Sequence, residues 1–183
     1  MADIVIHESD MTFGPFSDSD VFRMEHSEVY ASGFRQQGIK VCEFVLQRNG
    51  KIYFVEAKKS CPNHNNAMTN EEKCKKYSEY IQDIPQKMRD SLNLYASILL
   101  NRNKAQDFPE NMNVGDLSNF QIRFVLVVKN AQTEWLKHYQ EKFQEELRRE
   151  MRVWGIPSFV ILNEDSARKK GLLARDSYLS PFT

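Results

Sequence analysis

The sequence predicts an α/β domain built on a small mixed sheet, in which an antiparallel hairpin precedes a parallel β-α-β crossover and helices flank the sheet. Two β-type runs, residues 41–48 and 51–58, surround an Asn-Gly pair, which is the strongest short hairpin signal. A nearly continuous apolar run over residues 120–129 is typical of a strand buried on both faces. A helical pattern then leads to a second apolar run at 158–162, and such strand–helix–strand connections favour a right-handed parallel crossover.

The first forty residues give weaker signals. Residues 1–20 are polar, and Asp20 is placed to cap a short helix that extends through Val29. Residues 30–38 are consistent with the end of that helix, a turn at Gly33 or a first strand.

A long helix is predicted after the hairpin. Thr69 and Glu72 have the spacing of a capping box, and Pro85 should kink the helix or split it. Further helices are predicted at about residues 132–152 and 166–173. The long helix carries one apolar stripe with a spacing of three or four residues, formed by Tyr77, Ile81, Ile84, Met88, Leu92, Tyr95 and Ile98.

The bulk properties limit the possible functions. The chain has 183 residues, with 25 basic and 25 acidic side chains, so it has no overall charge that would attract nucleic acid. Binding to nucleic acid would need a local basic patch or a partner. No repeat, low-complexity segment or linker divides residues 1–183, which favours a single domain. Three cysteines, no secretory signal and no apolar run of ~20 residues predict a cytoplasmic protein that does not enter a membrane.

Three charged residues of the hairpin are predicted to lie together. A two-residue turn at Asn49-Gly50 places Glu43 opposite Glu56. Because side chains alternate between the faces of a strand, Lys58 shares the face of both acids. Directly opposed like charges are unfavourable in a sheet. A divalent cation such as magnesium, which prefers carboxylate oxygens, is one way to offset that repulsion.

The order of these elements resembles that of the PD-(D/E)xK, or restriction-endonuclease-like, nuclease superfamily. The resemblance spans roughly residues 20–165, but its specific part is Glu43, twelve intervening residues and the Glu-x-Lys that ends at Lys58. It implies that Glu43 and Glu56 bind Mg²⁺ or Mn²⁺ and that Lys58 is the catalytic lysine. The first acid of this family is usually Asp, often after Pro, whereas here it is Glu43 after Cys42.

The same resemblance implies a further metal ligand from the first helix, for which Glu25 and Glu28 are the candidates. It also implies a function, namely metal-dependent hydrolysis of phosphodiester bonds in nucleic acid, in DNA more than in RNA. The alternative from another class is a catalytically inactive nuclease-fold module for binding or assembly. A homodimer or a subunit of a larger complex is consistent with the small size and neutral charge.

A structural explanation competes with these assignments. Glu-x-Lys also occurs at Glu71-Glu72-Lys73, on a predicted helix where the residues are simply solvated. The Glu-x-Lys spacing therefore indicates a site only where the surrounding strands support it. The structural alternative for the hairpin residues is a solvent-facing cross-strand charge cluster. A solvated surface is also the alternative for the basic residues that are expected to contact nucleic acid. These residues are Lys59, Lys73, Lys76, Arg168, Lys169 and Lys170.

A zinc site is a weaker hypothesis. Cys61 and His64 have C-x2-H spacing and Cys74 follows ten residues later. A structural zinc ion usually needs four ligands in closely spaced pairs, which this pattern does not supply. His138 is expected to be a surface or core-edge histidine rather than a base.

Overall fold

A five-stranded mixed sheet with the order β3-β4-β5-β6-β7 lies at the centre of the computed structural model, which describes residues 2–65 and 70–174. A two-stranded antiparallel sheet, β1-β2, accompanies it, and helices flank the strands. The protein is therefore mixed α/β. The strands are β1 (Asp3–Glu8), β2 (Met11–Ser17), β3 (Val21–Phe22), β4 (Phe44–Arg48), β5 (Lys51–Lys58), β6 (Gln121–Val128) and β7 (Phe159–Asn163). The helices are α1 (Glu71–Leu99), α2 (Thr133–Glu146), α3 (Arg148–Val153) and α4 (Glu164–Lys169).

The β4–β5 hairpin has the predicted turn and register. Asn49 and Gly50 both have positive φ angles, 52° and 67°, as a type I′ turn requires. The ladder pairs Arg48 with Lys51 and continues outward to Phe44 opposite Val55. Glu43 and Glu56 would form the next pair, but β4 begins at Phe44, so Glu43 is the residue that precedes the strand.

The two predicted buried strands are confirmed as β6 and β7. β6 pairs in parallel with β5 on one side and with β7 on the other. The helix predicted between them is interrupted at Leu147, which separates α2 from α3. α4 begins at Glu164, earlier than predicted, because the Asn163 side chain caps it by accepting a hydrogen bond from the Ser166 N–H.

Helix α1 is one continuous helix that contains Pro85, so the proline does not split it. Its N-cap is Asn70, whose side chain accepts a hydrogen bond from the Lys73 N–H at 2.8 Å. Thr69, the predicted start, lies outside the described residues. Ile84, Met88, Leu92, Tyr95 and Ile98 of the predicted stripe are buried, whereas the first two residues of the stripe, Tyr77 and Ile81, are only half-buried.

The N-terminal region differs most from the prediction. Residues 3–17, for which no strand is predicted from the sequence, form the β1–β2 hairpin. The helix expected from Asp20 to Val29 is wrong, because Val21 and Phe22 form strand β3 against β4. As a strand, this pair buries Val21 in the core on one face of the sheet and Phe22 in the core on the other. The residues that follow, Met24–His26, form a 3-10 turn.

The five-stranded sheet separates two apolar cores. One face packs against α1 and α2, through residues such as Phe54 and Phe124. The opposite face packs against the β1–β2 hairpin and α4, through residues such as Val55 and Val125. Successive residues of β5 therefore enter different environments. Within the described ranges, no helix is long and apolar enough to cross a lipid bilayer.

Candidate active site

The candidate site lies at the C-terminal end of β5, on the sheet face that packs against α1. Glu56 is fully buried there, and Glu43, just before β4, is 7% exposed. The Glu43 carbonyl accepts a hydrogen bond from the Glu25 N–H at 3.4 Å. This bond attaches the 3-10 turn that carries Glu25 to the start of β4, so three carboxylates from separate segments come to one place.

Two lysines neutralise Glu56. The ammonium nitrogens of Lys58 and Lys87 lie 2.9 and 2.8 Å from the same carboxylate oxygen, Oε1. Burial raises the pKa of the Glu56 carboxyl, and the charges of Lys87 and Lys58 act to lower it. Since two ammonium groups bind one oxygen, we take Glu56 to be ionised.

Lys87 is the residue of this site that the sequence interpretation missed. Burial alone would lower the pKa of Lys87, but the charges of Glu56, Glu43 and Glu25 raise it above its ordinary value. Lys87 lies three residues after Ile84 and four before Ser91, so it belongs to the buried face of α1. A lysine at such a position is a signal that a buried acid faces it.

The position of Lys87 is fixed relative to the start of β4. Its carbonyl accepts a hydrogen bond from the Ser91 hydroxyl at 2.6 Å, and the Cys42 N–H donates to that hydroxyl at 2.7 Å. Ser91 is fully buried. The hydroxyl thus links the backbone beside Glu43 to the helical turn that carries Lys87.

We infer that Glu43 keeps a proton at neutral pH and that its neighbour Glu25 is ionised. Burial, a hydrogen bond to Glu25 and the charges of Glu56 and Glu25 raise the pKa of Glu43 to about 9. Burial also acts to raise the pKa of Glu25. The hydrogen bond from Glu43 and the charges of Lys87, His26 and Lys58 outweigh this effect, so the pKa of Glu25 is lowered. Neutral Glu43 therefore donates to the ionised Glu25 carboxylate, and the proton relieves part of the like-charge repulsion.

The geometry distinguishes the two candidate glutamates of the N-terminal region. Glu25 is half-buried and reaches the Glu43–Glu56 pair, whereas the side chain of Glu28 is exposed. Glu25 is carried by a 3-10 turn and not by the helix that the sequence predicts. Its proposed role as a metal ligand stays a prediction.

The carboxylates have the chemistry of a hard-cation site. The second oxygen of Glu56, Oε2, is buried and has no hydrogen-bond partner among the described residues, which is unusual for an ionised group. Carboxylate oxygens are the ligands that Mg²⁺ and Mn²⁺ prefer. In the part of the chain that the structure describes, no three His, Cys, Asp or Glu side chains are already arranged as a metal-binding group. The lysines on Glu56 Oε1 compete with any cation for that oxygen.

A groove of about 630 Å³ adjoins the site, between the segment before β4 and the first half of α1. Lys58, Lys40 and Lys76 line it, together with Asp83. Asp83 accepts from Lys40 at 2.8 Å and lies 3.9 Å from the Lys58 ammonium. Lys76 is also paired, with Glu72 at 2.6 Å. The groove is polar, has mixed charge and opens beside the Glu56–Lys58 pair.

The predicted nucleic-acid-binding lysines are not all brought to this groove. Lys73 lines a neighbouring pocket with Lys76, so both lie near the candidate site. Lys59 is exposed and pairs with Asp10 in the β1–β2 turn, at 2.6 Å. The segment from Arg168 to Lys170 belongs to the opposite side of the sheet, where α4 packs, and Arg168 binds Glu164 at 3.1 Å.

His64, one of the three residues of the zinc hypothesis, lies in an aromatic cluster. The His64 and His138 rings stack with a centroid separation of 4.2 Å, and the Tyr77 hydroxyl lies 2.7 Å from His138 Nε2. Burial raises the pKa of the Cys61 thiol to about 11, which favours the thiol over the thiolate that binds metals. The described residues of this region contain no metal-binding group.

Comparison with protein-family models, with curated proteins and with solved structures finds no match for this chain. The fold and the residues of the site therefore carry the functional argument.

Proposed function

We propose that this chain is a magnesium- or manganese-dependent nuclease that hydrolyses phosphodiester bonds, in DNA more than in RNA, and acts in the cytoplasm. One observation carries the proposal: Glu25, Glu43 and the fully buried Glu56 converge from three segments beside Lys58. Bringing two buried acids and one half-buried acid together costs free energy, and such clusters are concentrated at functional sites. A restriction-endonuclease-like topology, with a hairpin and then parallel strands, is consistent with the observed strand order.

Each residue has a proposed role. Glu56, Glu43 and Glu25 would hold the divalent ion, which supplies charge neutralisation for the attacking and leaving oxygens when it is bound. Lys58, the more exposed of the two lysines on Glu56, would orient the attacking water and face the scissile phosphate from the groove. Lys87 would be a positioning residue that keeps Glu56 ionised.

A second candidate, a catalytically inactive module for binding or assembly on the same fold, is also supported by an observation. Lys58 and Lys87 already neutralise Glu56, and the raised pKa of Glu43 favours its protonated carboxyl beside Glu25. A cluster that is internally neutralised can persist without a metal. Such a module, like the nuclease, could act as a homodimer or within a larger complex.

Calorimetric titration with Mn²⁺, combined with cleavage assays on plasmid DNA, oligonucleotides and RNA, tests the two candidates. The nuclease should bind the ion and cut at least one substrate. Glu56→Gln should lose both properties, whereas Glu28→Gln, which alters an exposed acid of the same region, should keep both. A wild-type protein that neither binds Mn²⁺ nor cuts any of these substrates would leave the inactive module as the explanation.

A further inference from the structure

A second pocket lies at the other end of β5 and on the other face of the sheet. It has a volume of about 400 Å³, and Lys51 and Tyr53 of β5 line it. Lys51 precedes Glu56 by five residues, so roughly 17 Å of strand separates it from the candidate active site. A ligand of this pocket would not be the phosphate that is cleaved at Glu56.

The pocket concentrates positive charge. Arg48, Lys51, Arg123 and Lys170 line it, and no acidic residue of the described chain does so. None of the four forms a salt bridge within residues 2–65 and 70–174. In a chain with equal numbers of acidic and basic residues, four cations around one cavity without a carboxylate create a local field that attracts anions.

Both arginines are held in position by neutral partners. Arg48 donates to the carbonyls of Gly171 and Lys170 at 2.8 and 2.9 Å. Gly171 has a φ of +66°, a left-handed backbone conformation that favours glycine. Arg123 donates to Gln121 at 2.6 Å and to the Ser158 hydroxyl at 3.3 Å. These bonds order the guanidinium groups without neutralising them, which lowers the cost of ordering them around an anion.

The floor of the pocket is apolar. Tyr53 and Val160 are half-buried there, and the Arg48 guanidinium lies 5.9 Å from the centroid of the Tyr53 ring. A flat apolar group can pack on this floor while an attached anion contacts Lys51, Arg123 and Lys170. A volume of about 400 Å³ is at the lower end of the range for small-molecule pockets and matches one compact ligand.

We propose that this pocket binds a nucleotide unit, with its phosphate on the cationic rim and its base against Tyr53 and Val160. The same chemistry is offered by a free mononucleotide and by the phosphorylated end of a nucleic-acid strand. The inference does not depend on the proposed nuclease activity, because it rests on residues of the opposite sheet face.

Calorimetric titration in EDTA at low ionic strength tests the proposal, since EDTA keeps divalent ions out of the candidate active site. The ligands are AMP, adenosine, inorganic phosphate and a DNA trinucleotide with or without a 5′-phosphate. AMP should bind more tightly than adenosine or phosphate, because only AMP uses both floor and rim. Binding of AMP alone identifies a free nucleotide as the ligand, and equal binding of the 5′-phosphorylated trinucleotide identifies a strand end.

Substitutions of the pocket residues test whether AMP binds in this pocket. Lys51→Gln and Arg123→Gln should each weaken AMP binding about tenfold or more, as expected for the loss of a charge-assisted hydrogen bond. Tyr53→Leu should weaken AMP but not phosphate. Lys104→Gln, at an exposed lysine outside the pocket, is the matched control. Absence of AMP binding, phosphate binding as tight as that of AMP, or an equal loss in Lys51→Gln and Lys104→Gln would overturn the proposal.

Discussion

The two ends of strand β5 differ in whether their charged side chains have neutralising partners. At the C-terminal end, Glu56 is fully buried and binds two ammonium groups, and the raised pKa of its neighbour Glu43 favours the protonated carboxyl beside Glu25. At the N-terminal end, Lys51 lies in a half-exposed pocket whose described residues include no carboxylate. The charges of the C-terminal end are neutralised within the protein, whereas the cations of the N-terminal end have no counter-ion among the described residues.

This difference shows what a buried and a half-exposed charge can each do. A buried carboxylate must be neutralised by lysines, a proton or a metal, because desolvation is costly. Its partners therefore affect both stability and pH dependence. Half-exposed cations keep most of their hydration, so they tolerate the absence of a partner and remain available to an anion from solution. Substitutions at the two ends should separate these properties.

The largest expected effect is on catalysis at the C-terminal end. If the chain is a nuclease, Lys58→Ala should lower the cleavage rate by about 10²–10³-fold, the usual cost of removing one group that stabilises developing charge. Mn²⁺ binding, measured by calorimetry, should persist because the three carboxylates remain. Lys104→Gln, at an exposed lysine that does not line the groove, is the matched control. Equal losses in both variants would contradict the role assigned to Lys58.

Lys87→Ala should have the largest effect on stability. Its side chain is 13% exposed and binds Glu56, which is fully buried. Loss of one partner of a buried ion pair should lower the free energy of unfolding by about 3 kcal/mol, at the lower end of the usual range because Lys58 remains. Urea denaturation measures this change. Lys87→Met, which keeps the apolar stem, should lose a similar amount, and a fully stable Lys87→Met protein would show that the charge is unimportant.

The pH dependence of stability should change at Glu43. Its pKa is raised to about 9 in the folded protein from an ordinary value of 4.5. The folded state therefore keeps a proton that the unfolded chain releases, so this group lowers the stability as the pH rises from about 4.5 to about 9. Glu43→Gln, which mimics the protonated form, should remove that loss and gain stability relative to wild type towards pH 9. Thermal melts in EDTA across this range measure it, and parallel pH profiles would contradict the raised pKa.

The smallest expected effect is on stability at the N-terminal end. Lys51→Gln should leave the melting temperature unchanged or slightly higher, because it removes one cation from a group without a described counter-ion. The same substitution should weaken nucleotide binding in the titration proposed above. A clear drop in melting temperature would show that Lys51 is a structural residue and that the two ends of β5 do not differ in the way described here.

Some features were predictable because they depend on local sequence. The Asn-Gly turn determined the register of β4 and β5, since only a few residue types adopt its positive φ angles. The apolar runs of β6 and β7 identified strands whose side chains are mostly buried, because a strand covered on both faces carries few polar residues. The part of the α1 stripe from Ile84 to Ile98 was predictable because apolar residues three or four positions apart lie on one face of a helix. Placing Glu43 near Glu56 needed only the register and the alternation of faces.

Other features depend on contacts between distant segments. The two residues of β3 are too short for a periodic signal, and only pairing with β4 makes them a strand. The first hairpin was missed although Ile4 and Ile6, then Met11 and Phe13, alternate with other residues around Ser9 and Asp10, both of which have positive φ angles. That pattern was short and lacked a glycine at the turn.

The sequence by itself thus determined the central hairpin, the parallel strands and the acids with Lys58 that line one end of β5. The tertiary structure alone decided that Lys87 from α1 neutralises Glu56 and that Glu25 rather than Glu28 reaches Glu43. It also decided that cations from β4, β5, β6 and the end of α4 surround one pocket. The physical reason is that register and periodicity act over a few residues, whereas burial and charge pairing depend on which distant segments the packed sheet brings together.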